Sequence, residues 1–511
     1  MKKQVNPIIK MDYPDPDVIR VGDTYYMVST TMYFMPGCVI LRSYDLAEWE
    51  IAGYVYDKLD DTLAERMELE KTEYAGGMWA PSIRYHEGEF YIFFLSNSGN
   101  KNYLFRSEKI EGPWKKSVVE GRYHDAALFF DDDGRKYLVH GNTEIHLTEL
   151  NDELTGPKKG GLERVIVRDE RNIGLGYEGS HFYKIGKYYY LFVIDWPVGG
   201  VRTQSCFRSD SLEGEFTGGV VLEDCRNYFR QGVAQGGIVE TLNGKWFAVL
   251  FQDMGAVGRI PVLVPVTWKD DFPVFGENGK VPDKLEIVSS RPNYPYEPLY
   301  TSDKFLLKEG LPKNRQLALQ WEWNHQPDNR LWRLLPEGGL EITTDKICIN
   351  LTHAKNTLTQ RMLWPGCGAE VTIDASGLGD GDAAGLCALQ SCYGMIGIVK
   401  ELGSYYLVRV VRSSENVKDQ MFKADLMPGE MTDKIKLDGP EITVYLKANF
   451  EDMKDRLDFY YFKKDKFVKV GPSHKMEFRL SHFTGNRFGL CCYSTKRSGG
   501  KAVFKNFIYN V

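Results

Sequence analysis

Residues 15–30 read DPDVIRVGDTYYMVST: a short apolar run, a turn at Gly22 and an aromatic-rich run. This pattern predicts a β-hairpin, because glycine suits a tight turn and aromatic and β-branched residues suit pleated strands. The pattern recurs four times, at intervals of about fifty residues, which indicates a repeat architecture. The other copies are WAPSIRYHEGEFYIFF (79–94), DAALFFDDDGRKYLVH (125–140), EGSHFYKIGKYYYLFV (178–193) and QGGIVETLNGKWFAVL (235–250).

Three of the hairpins are followed by a second related segment: RSYDLAEW (42–49), RSEKIEGPW (106–114) and RSDSLEGEF (208–216). We interpret these segments as outer strands of the same units. Four strands per unit at this period are typical of a β-propeller, and five copies predict five blades. An irregular all-β sandwich is the alternative for this part of the chain.

The prolines of SSRPNYPYEPLY (289–300) cannot donate to a sheet ladder, so this stretch ends the repeats. We therefore predict a propeller over residues 1–290 and a Pro-rich linker over 291–304. Short alternating strands separated by turns return over residues 305–511, which indicates a second all-β domain. The predicted architecture is a five-bladed β-propeller followed by a concanavalin-like β-sandwich.

The composition of the 511-residue chain narrows the function classes. There are 70 acidic and 64 basic residues, so no basic excess is available for phosphates, and nucleic acid is not an expected partner. No apolar run approaches the roughly 20 residues of a membrane span. The nine cysteines form no CxxC pair, so neither a zinc site nor a disulfide framework is expected. Without a visible signal peptide, the sequence as given predicts a cytoplasmic protein, or an exported one if a leader was removed.

One position recurs seven to nine residues before each turn glycine, and it is occupied by Asp15, Trp79, Asp125, Glu178 and Gln235. The first strand of a propeller blade lines the central channel, so these five residues are expected to surround one opening. Three carboxylates close together raise one another's pKa, which proteins tolerate chiefly where the charges take part in chemistry.

Glycoside hydrolysis needs such an arrangement. One carboxyl group must carry a proton for the leaving oxygen, and another must be ionised to activate water or attack the sugar. A third can orient the acid and tune its pKa. Read alone, Asp15 could be a turn former, Asp125 a strand cap and Glu178 a surface residue; their shared position favours function.

These residues lie in stretches that resemble glycoside hydrolase family 43, among them NPIIKMDYPDPDVIRVGDTYYMVST, GMWAPSIRYHEGEFYIFF and HDAALFFDDDGRKYLV. TLTQRMLWPGCGAEVTIDASGLGDGDAAGL, in the second half, resembles the C-terminal β-sandwich of the same group. The resemblance covers nearly the whole chain. It implies a five-bladed propeller and an inverting enzyme. Members of this family are mainly β-xylosidases and α-L-arabinofuranosidases.

The resemblance also implies a role for each matching residue. Asp15 corresponds to the general base, Glu178 to the general acid and Asp125 to the residue that modulates the acid's pKa. Trp79 corresponds to a sugar-packing residue. Arg259 corresponds to an arginine that reaches substrate hydroxyls, and its charge is expected to help keep Asp125 ionised.

Two departures from the family pattern concern the substrate and the metal. The segment TTMYFMPG (30–37), from which we take Phe34 as a substrate-binding candidate, differs in length and chemistry from the usual xylosidase form. Gln235, also a substrate-binding candidate, stands where many members carry a histidine near a central calcium ion. That difference counts against a structural calcium. No cofactor is expected to be required, and no metal-binding residue is assigned.

We therefore expect an exo-acting glycosidase that removes terminal β-D-xylosyl or α-L-arabinofuranosyl residues from hemicellulose-derived oligosaccharides or polysaccharide side chains. The appended sandwich is expected to block one side of the cleft, with a loop near residues 495–500 at its rim. A retaining fructosidase-like or sialidase-like enzyme is one alternative, although His124-Asp125-Ala126 lacks the Arg-Asp-Pro motif of the former. A non-catalytic carbohydrate-binding propeller is the other.

Overall fold

The computed structural model describes residues 3–171 and 174–511, which form a propeller and a sandwich made almost entirely of β-strands. Each predicted hairpin supplies the two inner strands of a separate antiparallel sheet, and the strands follow chain order outward from the axis. Blade 1 contains Asp17–Val21, Thr24–Ser29, Gly37–Ser43 and Glu50–Tyr56; blade 2, Met78–His86, Glu89–Ser96, Lys101–Ser107 and Lys115–Val119; blade 3, Ala127–Phe130, Lys136–Asn142, Glu144–Leu150 and Glu163–Arg168; blade 4, Leu175–Ile185, Tyr188–Trp196, Thr203–Ser209 and Thr217–Leu222; and blade 5, Val233–Ala234, Ile238–Glu240, Trp246–Asp253, Arg259–Lys269 and Phe272–Phe275. The five-bladed architecture is confirmed.

The turn glycines have the backbone conformation that the hairpin prediction requires. Gly22, Gly88, Gly134, Gly186 and Gly244 have φ values of 60°, 86°, 87°, 60° and 75°. Residues with a Cβ rarely adopt these angles, whereas glycine adopts them without strain. The repeated glycine is therefore a direct consequence of the turn geometry.

A second left-handed residue lies before or within the first part of each inner strand. Asp15, Ala80, Asp125, Gly179 and Gln235 have φ values of 53°, 33°, 46°, 66° and 61°. A left-handed conformation costs a residue with a Cβ roughly 1–2 kcal/mol, and such strain concentrates at functional sites. The same backbone kink thus occurs in all five blades at the position where the candidate residues cluster.

Aromatic side chains pack between neighbouring blades, which accounts for the aromatic-rich composition. Ring pairs 4.5–7 Å apart at steep angles are favourable beyond the area they bury. Examples that join successive blades are Tyr26–Phe90 at 5.6 Å, Tyr91–Phe130 at 4.9 Å, Phe129–Phe182 at 5.0 Å and Tyr190–Trp268 at 5.2 Å.

The start of the chain is fastened to the last blade. Lys3–Gln4 pairs with Lys284–Leu285, and the Asn6 side chain donates to the carbonyls of Leu263 at 2.7 Å and Pro282 at 2.8 Å. These bonds hold residues that are far apart in sequence where the first and last blades meet.

The C-terminal domain consists of two stacked antiparallel sheets. The sheet next to the propeller contains Glu430–Lys436, Ser404–Val411, Gly394–Glu401, Asp382–Leu389, Arg487–Ser494, Leu358–Arg361 and Glu322–Asn324. The second sheet contains Trp332–Leu334, Leu340–Thr343, Lys501–Asn510, Gly366–Asp374, Glu441–Asn449, Arg456–Lys463 and Lys466–Lys469, with His474–Lys475 beside Arg456–Lys463. This arrangement confirms the predicted sandwich.

The two domains share a sheet. The propeller strand Phe34–Met35 pairs with Glu322–Asn324 and thereby becomes the last strand of a sandwich sheet. Glu322, which is fully buried, accepts from Arg487 at 2.7 Å and also from Arg361. A carboxylate buried this deeply needs a charge partner, because an unpaired charge would be strongly destabilising; Arg361 and Arg487 both supply one.

Residues between the domains run over blade 1 without forming a strand: Tyr294 donates to Glu50 at 2.8 Å, and Arg291 pairs with Asp23 at 2.8 Å. Among the described residues the helices are single 3-10 turns, and none is long and apolar enough to cross a membrane. These turns are Gly255–Val257, Lys313–Arg315, Leu351–His353, Ser414–Asn416 and Glu451–Met453.

Candidate active site

Asp15 is held on both sides at the mouth of blade 1. Its Oδ2 accepts from the Thr30 hydroxyl at 2.7 Å, and Arg259 Nη1 lies 3.1 Å from Oδ1. Thr30 Oγ1 in turn accepts from the backbone N–H of Ala80 at 2.8 Å, which ties blade 1 to blade 2. Asp15 is only 8% exposed. The guanidinium balances the negative charge that a general base must carry.

Asp125 and Glu178 meet through the imidazole of His124. Nε2 of His124 lies 3.2 Å from Oε2 of Glu178 and 3.7 Å from Oδ2 of Asp125. Burial raises the pKa of Asp125 to about 7; His124 opposes this effect, and the negative charges of Glu178 and Asp15 reinforce it. The charge of Asp125 in turn raises the pKa of His124 to about 9. The three carboxylates therefore interact electrostatically, as their shared position predicted.

Two N–H donors converge on one oxygen of Glu178. Oε2 accepts from Asn142 at 2.6 Å and from His124 at 3.2 Å. A carboxylic acid that accepts on one oxygen carries its proton on the other. When Glu178 is protonated, its proton therefore resides on Oε1, where it is available for transfer.

Arg259 pairs with Asp15 rather than with Asp125. Its Nη2 also donates to the backbone carbonyl of Phe483 in the sandwich at 3.3 Å. The expectation that Arg259 keeps Asp125 ionised is wrong, because His124 is the cation beside Asp125 and the pKa of Asp125 is raised. The role of Arg259 in binding substrate hydroxyls stays a prediction.

Trp79 forms an aromatic wall together with residues from the sandwich. Its ring lies 6.3 Å from His124, 5.2 Å from Phe483 and 6.4 Å from Phe422. The indole N–H donates to the carbonyl of Ala75 at 3.2 Å, which fixes the ring. The sandwich thus contributes two aromatic side chains beside a predicted sugar-packing residue.

The remaining substrate-binding candidates differ in position. Gln235 is beside the carboxylates: a Cβ placed on Gly179 would come within 2.8 Å of its Cγ, so the glycine next to Glu178 makes room for it. Phe34 is only 1% exposed, and the guanidinium carbon of Arg487 lies 3.4 Å from its ring centroid. The structure therefore places Phe34 in the domain interface, where its ring offers no face to a sugar.

The carboxylate of Asp17, on the inner strand of blade 1, is not available to a calcium ion. Asp17 accepts from Arg84 at 2.7 Å, from the Ile83 N–H at 2.9 Å and lies 3.1 Å from His181 Nδ1, so both of its oxygens are engaged and its charge is balanced. A calcium site instead needs six to eight oxygen ligands.

Among the described residues, one cluster of His, Cys, Asp and Glu has ligand atoms close enough for an ion, and it consists of His124, Asp125 and Glu178. Nε2 of His124 lies 3.2 Å from Glu178 and 3.7 Å from Asp125, so these groups can also exchange protons with one another.

Sequence reasoning missed three residues that hold the carboxylates: His124, Asn142 and Thr30. His124 directly precedes Asp125, and that adjacency was the one local signal available. The expected rim loop near residues 495–500 stays a prediction; its backbone bonds to Gly381 and Thr344 within the sandwich.

Three carboxylates, an arginine and an aromatic wall at the axis of a five-bladed propeller define a catalytic site of the glycoside hydrolase class. Comparison with known families supports this assignment. The profile described as Glycosyl hydrolases family 43 matches residues 4–273, and that described as Beta xylosidase C-terminal Concanavalin A-like domain matches residues 313–510. The chain belongs to glycosyl hydrolases family 43.

Relatives cover both halves of the chain. A protein of Formosa agariphila named Beta-xylosidase is 27% identical, over 99% of this chain and 90% of its own length. A Bacteroides ovatus protein named non-reducing end alpha-L-arabinofuranosidase is 28% identical, over 65% of this chain and 63% of its own. The solved structure of a bifunctional GH43-CE protein of Bacteroides eggerthii is 40% identical with a TM-score of 0.91; it is matched over 100% of this chain and 64% of its own. This chain thus spans just under two thirds of that protein's length.

Proposed function

We propose that this chain is an exo-acting, inverting glycosidase that releases terminal β-D-xylosyl or α-L-arabinofuranosyl residues from hemicellulose-derived oligosaccharides. The observation that carries the proposal is the division of the three carboxylates into different environments. Asp15 faces a guanidinium, Asp125 is buried, and Glu178 has one oxygen bonded by two N–H donors. Carboxyl groups in contrasting environments can take the separate roles of acid and base.

In the proposed reaction, Asp15 accepts a proton from a water molecule as the water oxygen attacks the anomeric carbon. The glycosidic C–O bond breaks, and Glu178 transfers its proton from Oε1 to the leaving oxygen. Attack from the face opposite the leaving group inverts the anomeric configuration. Exchange of one proton with solvent then restores both carboxyl groups.

Asp125 and His124 keep Glu178 in position during this cycle. His124 donates to Oε2 of Glu178, and the neighbouring charge of Asp125 favours the protonated imidazole. Hydrogen bonds that involve a charged partner are stronger and better oriented than neutral ones. Asp125 therefore acts on the acid through His124 as well as by direct repulsion.

The sandwich supports an exo mode of action. Phe483 of the sandwich lies beside Trp79 on one side of the site, and its backbone carbonyl accepts a hydrogen bond from Arg259. A chain that extended past both sides of the sugar-binding position would meet these residues. The names of the relatives supply the two candidate sugars.

The test is hydrolysis of the nitrophenyl glycosides of β-D-xylopyranose and α-L-arabinofuranose, with proton NMR of the anomer formed first. We expect inverted product from the wild type, and a loss of roughly 100-fold or more for Glu178→Gln on a disaccharide of the preferred sugar, whose sugar leaving group needs the acid more than nitrophenolate does. Glu163→Gln, an exposed change on blade 3, is the matched control. Retained configuration, or full activity of Glu178→Gln on the disaccharide, would refute the mechanism. The ratio of the two rates identifies the sugar.

A further inference from the structure

Phe422 is an exposed aromatic residue at the edge of the candidate active site that neither the family resemblance nor the proposed mechanism uses. Its side chain is 56% exposed, although large apolar side chains usually gain by burial. The ring lies 6.4 Å from that of Trp79 at an interplanar angle of 15°. A nearly parallel pair, one ring in each domain, presents an open apolar face beside the catalytic residues.

The loop that carries Phe422, residues 412–429, is fastened on both sides of the ring. On one side, the backbone N–H of Ser481 donates to Asp419 at 2.9 Å. On the other side, Asp425 accepts from Arg412 at 2.6 and 3.0 Å, and its carbonyl accepts from Asn350 at 2.9 Å. Phe422 is therefore held in position while its face stays open, so a ligand would pay little ordering entropy on binding there.

The position of this ring relative to the acid indicates which part of a substrate it meets. Trp79 lies 6.3 Å from His124, and His124 bonds to Glu178. In glycoside hydrolysis the acid protonates the leaving oxygen, so the leaving group lies on the acid's side of the sugar-binding position. We place the open face of Phe422 on that side because Trp79 links this ring to His124 and so to the acid.

We propose that Trp79 and Phe422 form a leaving-group clamp whose sandwich half, Phe422, packs against the sugar residue released with the leaving oxygen. This inference rests on the proposed function and adds the class of leaving group, namely a sugar ring rather than a small or charged group. The apolar C–H face of a pyranose suits an exposed phenyl ring. The sandwich then takes part in choosing the substrate as well as closing the cleft.

The experiment compares two substrates of whichever sugar the wild type prefers: a disaccharide with xylose as leaving group, and the glycosyl fluoride, whose leaving group cannot reach Phe422. For Phe422→Ala we expect kcat/KM on the disaccharide to fall about tenfold, mainly through KM, and to stay within about twofold on the fluoride. Phe422→Tyr keeps a ring and should retain activity on both. Phe462→Ala removes a 44% exposed ring from strand Arg456–Lys463 and is the matched control.

Equal losses on both substrates, or an unchanged disaccharide rate, would overturn the clamp while leaving the proposed function intact. A wild type that hydrolyses neither substrate would refute the proposed function, and the clamp with it. Calorimetry in a Glu178→Gln background gives a second readout without turnover. There Phe422→Ala should weaken binding of the disaccharide and leave binding of the free monosaccharide unchanged; equal effects on both would again refute the clamp.

Discussion

The replacement Asp125→Asn separates the contribution of this carboxyl group to catalysis from its effect on the stability of the folded protein. The carboxamide has nearly the shape of the carboxylic acid but cannot ionise. In the wild type, burial and the charges of Glu178 and Asp15 raise the pKa of Asp125 from 3.8 to about 7. The folded protein therefore binds this proton more tightly than the unfolded chain does, so ionising Asp125 works against folding.

The direction and size of the effect follow from the two pKa values. Because Asp125 keeps its proton to a higher pH in the folded state than in the unfolded chain, wild-type stability falls as the pH rises from 3.8 to about 7. At ~1.4 kcal/mol per pH unit, this interval corresponds to up to about 4 kcal/mol. The stability that His124 provides is present below its ordinary pKa of 6.5 and is lost as the pH rises through about 9. Asp125 is the largest cause of that second shift, so the Asn variant loses less there as well.

Thermal unfolding at pH 4.5, 7 and 9 is the assay. We expect the midpoint of Asp125→Asn, relative to wild type, to rise with pH by several degrees in total. The catalytic activity of Asp125→Asn, unlike its relative stability, should decrease, by roughly a hundredfold, because His124 and Glu178 lose the negative charge that orients them. Asp152→Asn, whose side chain is 85% exposed on the same blade, is the control and should leave both properties unchanged. A midpoint difference that stays constant or shrinks with pH would refute the reasoning.

Two further predictions concern buried polar groups. Thr30→Val should lower the unfolding free energy by about 1–3 kcal/mol and reduce kcat/KM, because Asp15 loses a hydrogen-bond donor and the Ala80 N–H loses its acceptor. Thr30→Ser keeps the hydroxyl and should have wild-type stability and activity. If the Ser variant is affected as strongly as the Val variant, this account is contradicted. Arg487→Met should lower stability by about 1.5–3 kcal/mol, since buried Glu322 loses the donor at 2.7 Å while Arg361 still balances its charge. Differential scanning calorimetry measures that loss, and a wild-type midpoint would contradict it.

Local chemistry explains why so much of the fold could be predicted. The hairpin turns of this protein need a residue in the left-handed conformation, which glycine adopts without strain. The five turn glycines therefore mark the turns in the sequence. Their spacing then gives the number of blades and aligns Asp15, Asp125 and Glu178 before any contact is known. Each of these features depends on residues within about ten positions of one another, which is the range over which turn and strand propensities act.

The tertiary structure decided what surrounds the carboxylates. Pairing of Asp15 with Arg259 joins residues at opposite ends of the propeller sequence, and no propensity encodes such a contact. Phe34 is buried because its strand, Phe34–Met35 of the propeller, pairs with a strand of the sandwich. That pairing is also a long-range contact. Phe422 reaches the site from the second domain, through a loop whose sequence has no repeat to mark it. The sequence alone therefore determined the architecture and the shared position of the candidate carboxylates, because these depend on local backbone geometry. The charge partners, the aromatic wall and the domain interface depend on long-range packing, and only the folded chain decides them.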